Sequence, residues 1–354
     1  MKIAYLFHLN ETNEGVFRKI VSQIDAWKAN GHKVIVFQLT RTAQVSKEQW
    51  HAYKYSPSAF RTRIKAWDDA IDDILAWSPD IVYYRYDMFY PALYRLLRNI
   101  PVITEVNTDD AAEYRLGSRM RGLYNYLTRN LVFGNVDGMV HVSGELALLS
   151  HFRKYRKKHI VIGNGINLAE CEQLPAPLNQ YPRLAFMGSP GQLWHGVDKI
   201  LKIAEKLPSW SFDLIGISKE QIELSNMQNV ICHGYLNKKA YENVLATADV
   251  AIGTMALHRK NMNEATPLKV REYLAYGLPI IIGYKDTDFP CGAPFLLQLP
   301  NCENVTCENI ESIRAFVERW KGKRVPRTEI AHLDVQKKET ERLKFMLDVI
   351  QRLR

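Results

Sequence analysis

Short runs of apolar residues alternate along the chain with stretches in which apolar positions recur every three or four residues. Ile3 to Phe7 predicts a buried strand, followed by a polar loop from Asn10 to Glu14 and then Gly15. Val16, Ile20, Ile24 and Trp27 share one face of a helix expected over 16–30. Gly31 is a good stop for it, and Val34 to Phe37 is the next strand. The same alternation gives a helix over 64–77, strands at 81–84 and 102–104, a helix over 120–133 and a strand at 138–142. Strands separated by helices imply parallel βαβ units.

Between 170 and 183 the rhythm breaks. Pro175, Pro177 and Pro182 lie among short polar residues, as in a linker. The alternation then restarts, with strands at 184–187, 212–216, 230–232, 250–252 and 280–282 and helices at 197–207, 239–248 and 268–276. A last helical pattern, with Leu343, Met346, Leu347 and Ile350, fills 334–354. A chain of 354 residues exceeds the roughly 250–300 at which one α/β core stops growing, so two domains are expected. They are drawn at 1–172 and 178–330.

No apolar run approaches the ~20 residues of a membrane span. The first residues turn polar too soon for a signal peptide, so a cytoplasmic location is expected. Five cysteines, an odd number without paired C-x-x-C units, argue for reduced thiols over disulfides or zinc; Cys302 and Cys307 stand nearest each other. The formal charge of +9 concerns partners and not the fold. Basic residues concentrate at Arg115, Arg119, Arg121 and Arg129 and again at 153–158. Leu116, Leu123, Tyr124 and Leu127 interleave with the first group. An anionic membrane surface is therefore a candidate partner beside a plain solvated helix face. Tyr53-Lys54-Tyr55 reads as a solvated loop, so no nucleic acid partner is expected. His141, between Val140 and Val142, reads as a core or cleft-edge histidine.

The richest segment runs from Glu264 through Thr266, Pro267, Leu268 and Lys269 to Glu272, followed by Gly277-Leu278-Pro279. A loop passes through Pro267 into a helix, whose first N–H groups are unpaired and attract phosphate or hydroxyl oxygens. Alone, two glutamates eight positions apart would be helix-flanking surface charges. Their surroundings change that reading. The block resembles the donor-site signature of the family-4 glycosyltransferases of the GT-B fold. Ile162 to Asn167, Phe186-Met187-Gly188 with His195 to Asp198, Val230 to Tyr235, Asp80-Ile81-Val82 and Glu105-Val106-Asn107 match further landmarks in order.

The resemblance implies two Rossmann-like doubly wound domains with an interdomain cleft, and a terminal helix of about 334–354 that packs back on the first. It implies a retaining hexosyl- or N-acetylhexosaminyltransferase with a nucleoside-diphosphate sugar as co-substrate and a glycan, lipid-linked or other acceptor. Glu264 would bind the transferred sugar, the backbone of Thr266, Pro267 and Leu268 the sugar and distal phosphate, and Glu272 the ribose diol. Gly234 and Tyr235 would cradle the base, and Gly15 would admit the phosphates. At three positions the chain departs from the family pattern. Ser189 and His195 stand where an Arg and a Lys usually neutralise the leaving diphosphate, and Asn107 stands where many members carry a His. His195 as imidazolium, or else Lys269, is the expected replacement cation. No acidic metal cage is visible, so neither metal nor further cofactor is expected. Two alternatives share the architecture: a non-catalytic GT-B subunit and a nonhydrolysing sugar-nucleotide epimerase. The base, sugar, acceptor and oligomeric state are not encoded in these motifs.

Overall fold

A computed structural model describes residues 1–9, 14–41, 49–56, 60–222, 227–304 and 309–353, without the side chains of 115–117. Cys307 and the loop 10–13 thus lie outside the described residues. The four described cysteines, Cys171, Cys232, Cys291 and Cys302, form no disulfide with one another. None of the described helices is long and apolar enough to cross a membrane.

The chain divides into two compact units, one of residues 1–164 with 335–354 and the other of residues 165–334. The division falls ahead of residue 172 because the next segment is tied downstream. Ile166 N donates to Leu333 O, and the Arg327 guanidinium donates to the Leu168 and Cys171 carbonyls.

The first unit runs β1 (Lys2–His8), α1 (Glu14–Ala29), β2 (Lys33–Thr40), β3 (Trp50–Lys54), α2 (Phe60–Trp77), β4 (Ile81–Arg85), α3 (Pro91–Asn99) and β5 (Val102–Val106). It continues with α4 (Asp110–Gly117), α5 (Arg119–Phe133), β6 (Gly138–His141), α6 (Gly144–Leu148), α7 (Ser150–Arg153) and β7 (Lys158–Val161). Its seven strands lie parallel in the order β3-β2-β1-β4-β5-β6-β7, a doubly wound sheet whose direction of travel reverses between β1 and β4. The interior strands are buried on both faces, which is why β1 and β4 read as unbroken apolar runs.

Residues 53–55 do not form the loop expected for them. Tyr53 and Lys54 belong to edge strand β3, paired with Leu39 and Thr40, and Tyr55 is buried against His8 and Arg63. Pairing to β2 supplies what the local sequence lacks.

The second unit runs β8 (Arg183–Met187), α8 (Val197–Lys206), β9 (Ser211–Ile215), β10 (Val230–Gly234), α9 (Lys238–Thr247), β11 (Val250–Ile252), β12 (Glu264–Ala265) and α10 (Leu268–Ala275). There follow β13 (Ile280–Ile282), β14 (Lys285–Asp286), β15 (Leu296–Gln298) and α11 (Ile310–Trp320). The order β10-β9-β8-β11-β13-β15, again all parallel, repeats the first unit's winding, with the reversal between β8 and β11.

Helix α12 (Val335–Leu353) belongs to the first unit. Its Leu343, Met346 and Ile350 join Ile3, Ile24 and Trp27 in one core. Buried polar groups fix the seat. Glu339 accepts from Trp27 Nε1 at 2.8 Å, and Arg342 reaches the Tyr83 hydroxyl at 2.6 Å and Glu105 at 3.6 Å. Glu105 also meets Lys19 at 2.9 Å and Arg85 at 3.2 Å. Burial pushes the Glu105 carboxyl up, but Lys19, Arg342 and Arg85 outweigh it and hold it below the ordinary carboxylate range.

Candidate active site

In doubly wound sheets, ligands bind outside the carboxyl ends of the strands at the point of reversal. In the second unit that point lies where β8 and β11 end. β8 leads into Gly188, and a Cβ on Gly188 would stand 2.4 Å from the Phe186 ring. Gly216, after β9, has φ +82°, and a Cβ there would lie 2.0 Å from the Gly188 carbonyl oxygen. Only residues without side chains let these turns approach so closely. Gly216 N donates to Gly234 O at 2.7 Å, and Gly234 N to Ile217 O at 2.9 Å, so the ends of β8, β9 and β10 form one shelf. Tyr235, next in the chain, is exposed.

The loop 188–196 crosses this shelf. Met255 N and Ala256 N, beyond β11, donate to the His195 and Trp194 carbonyls. His195 is buried, and its Nδ1 accepts from the N–H of exposed Ser189 at 3.4 Å. The ring proton is accordingly assigned to Nε2. Burial first, then Lys269 and Lys260, push the imidazole down to about 3. Without an anion beside it, this environment favours the neutral ring near neutral pH; the imidazolium expected from the sequence is one beside a bound diphosphate. Desolvation and two neighbouring cations, none of them visible in the local sequence, are what a bound diphosphate would have to offset.

Lys269 lies on α10. Its Nζ donates to the Met187 carbonyl at 3.0 Å and sits 4.3 Å from the Phe186 ring centroid. One turn on, the Tyr273 hydroxyl accepts from Met187 N at 2.6 Å, so α10 holds both backbone polar groups of Met187, the residue before Gly188. Burial pulls the Lys269 ammonium down to about 7. Lys260, with its Nζ 4.1 Å from the Trp194 ring centroid, is a cation the sequence reading passed over.

Helix α10 starts at Leu268, with Pro267 extended at its cap and Thr266 buried before it. The first N–H groups of such a helix have no carbonyl within it. Glu264 and Ala265 pair in parallel with Lys285 and Asp286. Arg271, fully buried, donates to Asp286 at 2.7 and 2.8 Å and to Asp288 at 2.9 Å, fastening the helix to the ribbon that carries Glu264. Glu272 is buried one turn into α10. Its Oε1 accepts from Tyr241 at 2.6 Å and from Tyr276 at 3.3 Å. The sequence reading missed Tyr241, Tyr273 and the Arg271 cluster, whose partners are remote in sequence.

Thus Ser189, His195, Gly234, Tyr235, Glu264, Thr266, Pro267, Leu268, Lys269 and Glu272 all belong to the second unit, and Gly15 and Asn107 to the first. Gly15 is the second residue of α1, so it occupies the first turn of a helix and not a loop. Asn107 donates to Glu105 Oε2 and accepts from Lys19 Nζ, both at 3.2 Å, as part of the buried ion cluster.

Asp109, Asp110 and His151 also bring metal-ligand atoms within 4.8 Å of one another. Asp110, however, takes a bidentate Arg129 and Asn125, and Asp109 caps α4 through Ala111 and Ala112. Hydrogen bonds within the protein account for both carboxylates.

The model of Glycosyltransferase Family 4 matches residues 14–170. No curated protein matches the sequence. Among solved structures, a sucrose-phosphate synthase from Thermosynechococcus elongatus is similar with a TM-score of 0.67 at 13% identity, covering 100% of this chain and 97% of that one. A glycosyltransferase from Rickettsia africae gives 0.66 at 14%, with 99% of both chains covered. HepE of Anabaena, solved in complex with UDP and glucose, gives 0.63 at 11%, with 97% of this chain and 98% of that one covered. The fold is the GT-B fold, and the resemblance to family-4 glycosyltransferases stands. Glycosyl transfer is the activity that the family match supports.

Proposed function

We propose that the protein is a retaining glycosyltransferase that moves a hexosyl or N-acetylhexosaminyl group from a nucleoside-diphosphate sugar to a glycan or lipid-linked acceptor. The observation that carries this reading is helix α10, which holds the end of β8 through Lys269 and Tyr273, carries Glu272, and is fastened by Arg271 to the ribbon that carries Glu264. Glu272 takes the ribose diol, exchanging its tyrosine hydroxyls for sugar hydroxyls. Glu264 takes hydroxyls of the transferred sugar, and Gly234 and Tyr235 flank the base. The start of α10, with Lys269, receives the distal phosphate. His195 serves as a neutral hydrogen-bond donor through Nε2. No carboxylate nucleophile is invoked. The acceptor attacks the face that the diphosphate leaves, and a leaving-phosphate oxygen takes its proton, so charge stabilisation at the phosphates supplies most of the rate.

Two substitutions test the division of labour. Glu272→Ala is expected to weaken nucleoside diphosphate binding at least tenfold by calorimetry, since hydrogen bonds to a charged acceptor contribute about 1.5–3 kcal/mol each. Glu264→Gln is expected to cut turnover while that affinity stays near normal. Equal losses of affinity in both variants would reject the assignment. A product of inverted anomeric configuration would reject the retaining mechanism.

The acceptor is proposed to be presented at an anionic membrane surface. Helix α5 exposes Met120, Leu123, Tyr126 and Leu127 with Arg119 and Arg121, a concentration of bare apolar side chains among cations on one short helix. Beside it lies a cavity of about 800 Å³, lined by Leu123, Leu127, Arg129 and Lys154 among others. Sedimentation with vesicles containing anionic lipid is expected to retain the protein, less so at high salt, and Leu123→Ser/Leu127→Ser is expected to release it. Equal retention by uncharged vesicles would remove the electrostatic part of the proposal.

A further inference from the structure

On the first unit, away from the residues assigned to the donor, His141 ends β6 in an unusual state. It is 2% exposed, and neither ring nitrogen has a hydrogen-bond partner. An imidazole always presents polar nitrogens on both sides, as donor and acceptor when neutral and as two donors when charged. Buried polar atoms of that kind are nearly always satisfied, so an orphaned pair marks a place where something else binds.

The ring faces a cavity of about 170 Å³ between the sheet and α7. Its further lining includes Phe152, Arg153, Arg156, Lys157 and His159. The Phe152 and His159 rings stand edge-on to His141 at 5.5 and 5.8 Å between centroids. His159 Nδ1 approaches the Lys157 carbonyl at 3.4 Å. No carboxylate lines the cavity among the described residues; Asp137, which feels Lys157, has its own oxygen accepting from Val102 N. Arg156 has φ +51°, a left-handed conformation that few residues other than Gly, Asn and Asp adopt readily. Two guanidinium forks, an ammonium and two imidazoles around so small a space suit one compact oxyanion with several acceptor oxygens. The space is below the ~300 Å³ of ordinary small-molecule pockets, so a nucleotide does not fit.

We propose that this cavity is a binding site for a single phosphate group, with His141 donating at its inner end and Arg153, Arg156 and Lys157 holding it at the mouth. The phosphate comes either from a soluble phosphomonoester or inorganic phosphate, or from the headgroup of a lipid such as phosphatidic acid. Burial and then His159 push His141 down to about 4; a bound dianion raises it again. The site does not rest on the glycosyltransferase reading, and it would stand if that reading failed.

The test follows the imidazole NMR signals of His141 in the full chain, assigned by their loss in His141→Phe. Inorganic phosphate at millimolar concentration, against chloride at matched ionic strength, is expected to shift these signals and to raise the pH at which they titrate. Arg156→Asn, which tolerates the left-handed backbone, is expected to weaken that response about tenfold while nucleoside diphosphate binding is unchanged. A second arm uses vesicles of phosphatidic acid against phosphatidylserine at matched surface charge. Arg156-dependent preference for phosphatidic acid, with no response to free phosphate, identifies the lipid source; the reverse identifies the soluble one. Equal responses to chloride and phosphate would mean an adventitious ion only. Silence of His141 in both arms would mean that water alone fills the cavity. Either result would overturn the proposal.

Discussion

Replacing Arg271 with methionine is expected to destabilise the second unit by about 3–5 kcal/mol, the range for breaking a buried ion pair from one side. The guanidinium is fully buried and answers two carboxylates, Asp286 and Asp288, which would be left without their cation. Denaturant unfolding, followed separately for transitions of the two units, measures the loss. Adding Asp286→Asn and Asp288→Asn to the same chain should restore part of it, because the stranded charge then disappears. A loss below about 1 kcal/mol in the single variant, within the range of an exposed pair, would contradict the burial. Because Asp286 pairs with Ala265 beside Glu264, sugar-dependent turnover should fall further than nucleotide affinity in any Arg271 variant that still folds.

The second large effect is expected at Lys269. Removing one group that stabilises charge in a transition state typically costs about 10²–10³ in turnover, and Lys269→Met should fall in that range. The pH dependence distinguishes charge from packing. Burial places the free ammonium at about 7, and a bound diphosphate raises it. Donor affinity should then be flat below about pH 7 and fall as pH rises above it, with proton uptake on binding. A nucleotide-sugar is the right probe, since its diphosphate does not titrate near neutrality. Calorimetry in buffers of different ionisation enthalpy reads the uptake, and Lys269→Met should abolish it. Stability runs the other way. A lysine whose pKa is depressed on folding penalises the fold below that pKa, and the penalty fades as pH rises toward the unfolded value. The variant's stability relative to wild type should therefore be greatest at low pH. If Lys269→Met binds donor with the wild-type pH profile, the cation lies elsewhere, and Lys260 becomes the next residue to replace.

These expectations show which features were legible in the chain. Parallel strands buried on both faces must be apolar runs, and the helices between them must be apolar on one side, so the α/β alternation follows from local chemistry. That is why β1, α1, β8 and α10 stand within a few residues of where the pattern puts them. The spacing of Glu264, Pro267 and Glu272 was equally legible, because a loop entering a helix is a local event. Other features needed the assembled protein. Edge strand β3 exists because β2 offers a partner, and Trp50 to Lys54 alone does not specify it. Arg271 meets Asp286 and Asp288, and Glu272 meets Tyr241, only after the sheet brings separate segments together. The choice between His195 and Lys269 is the sharpest case. Both were visible as candidates, but which one carries charge depends on desolvation and on neighbours supplied by other elements. The orphaned nitrogens of His141 belong to the same class: in the chain it is one histidine between two valines, and only the packing of α7 against the sheet makes it the inner wall of a basic cavity.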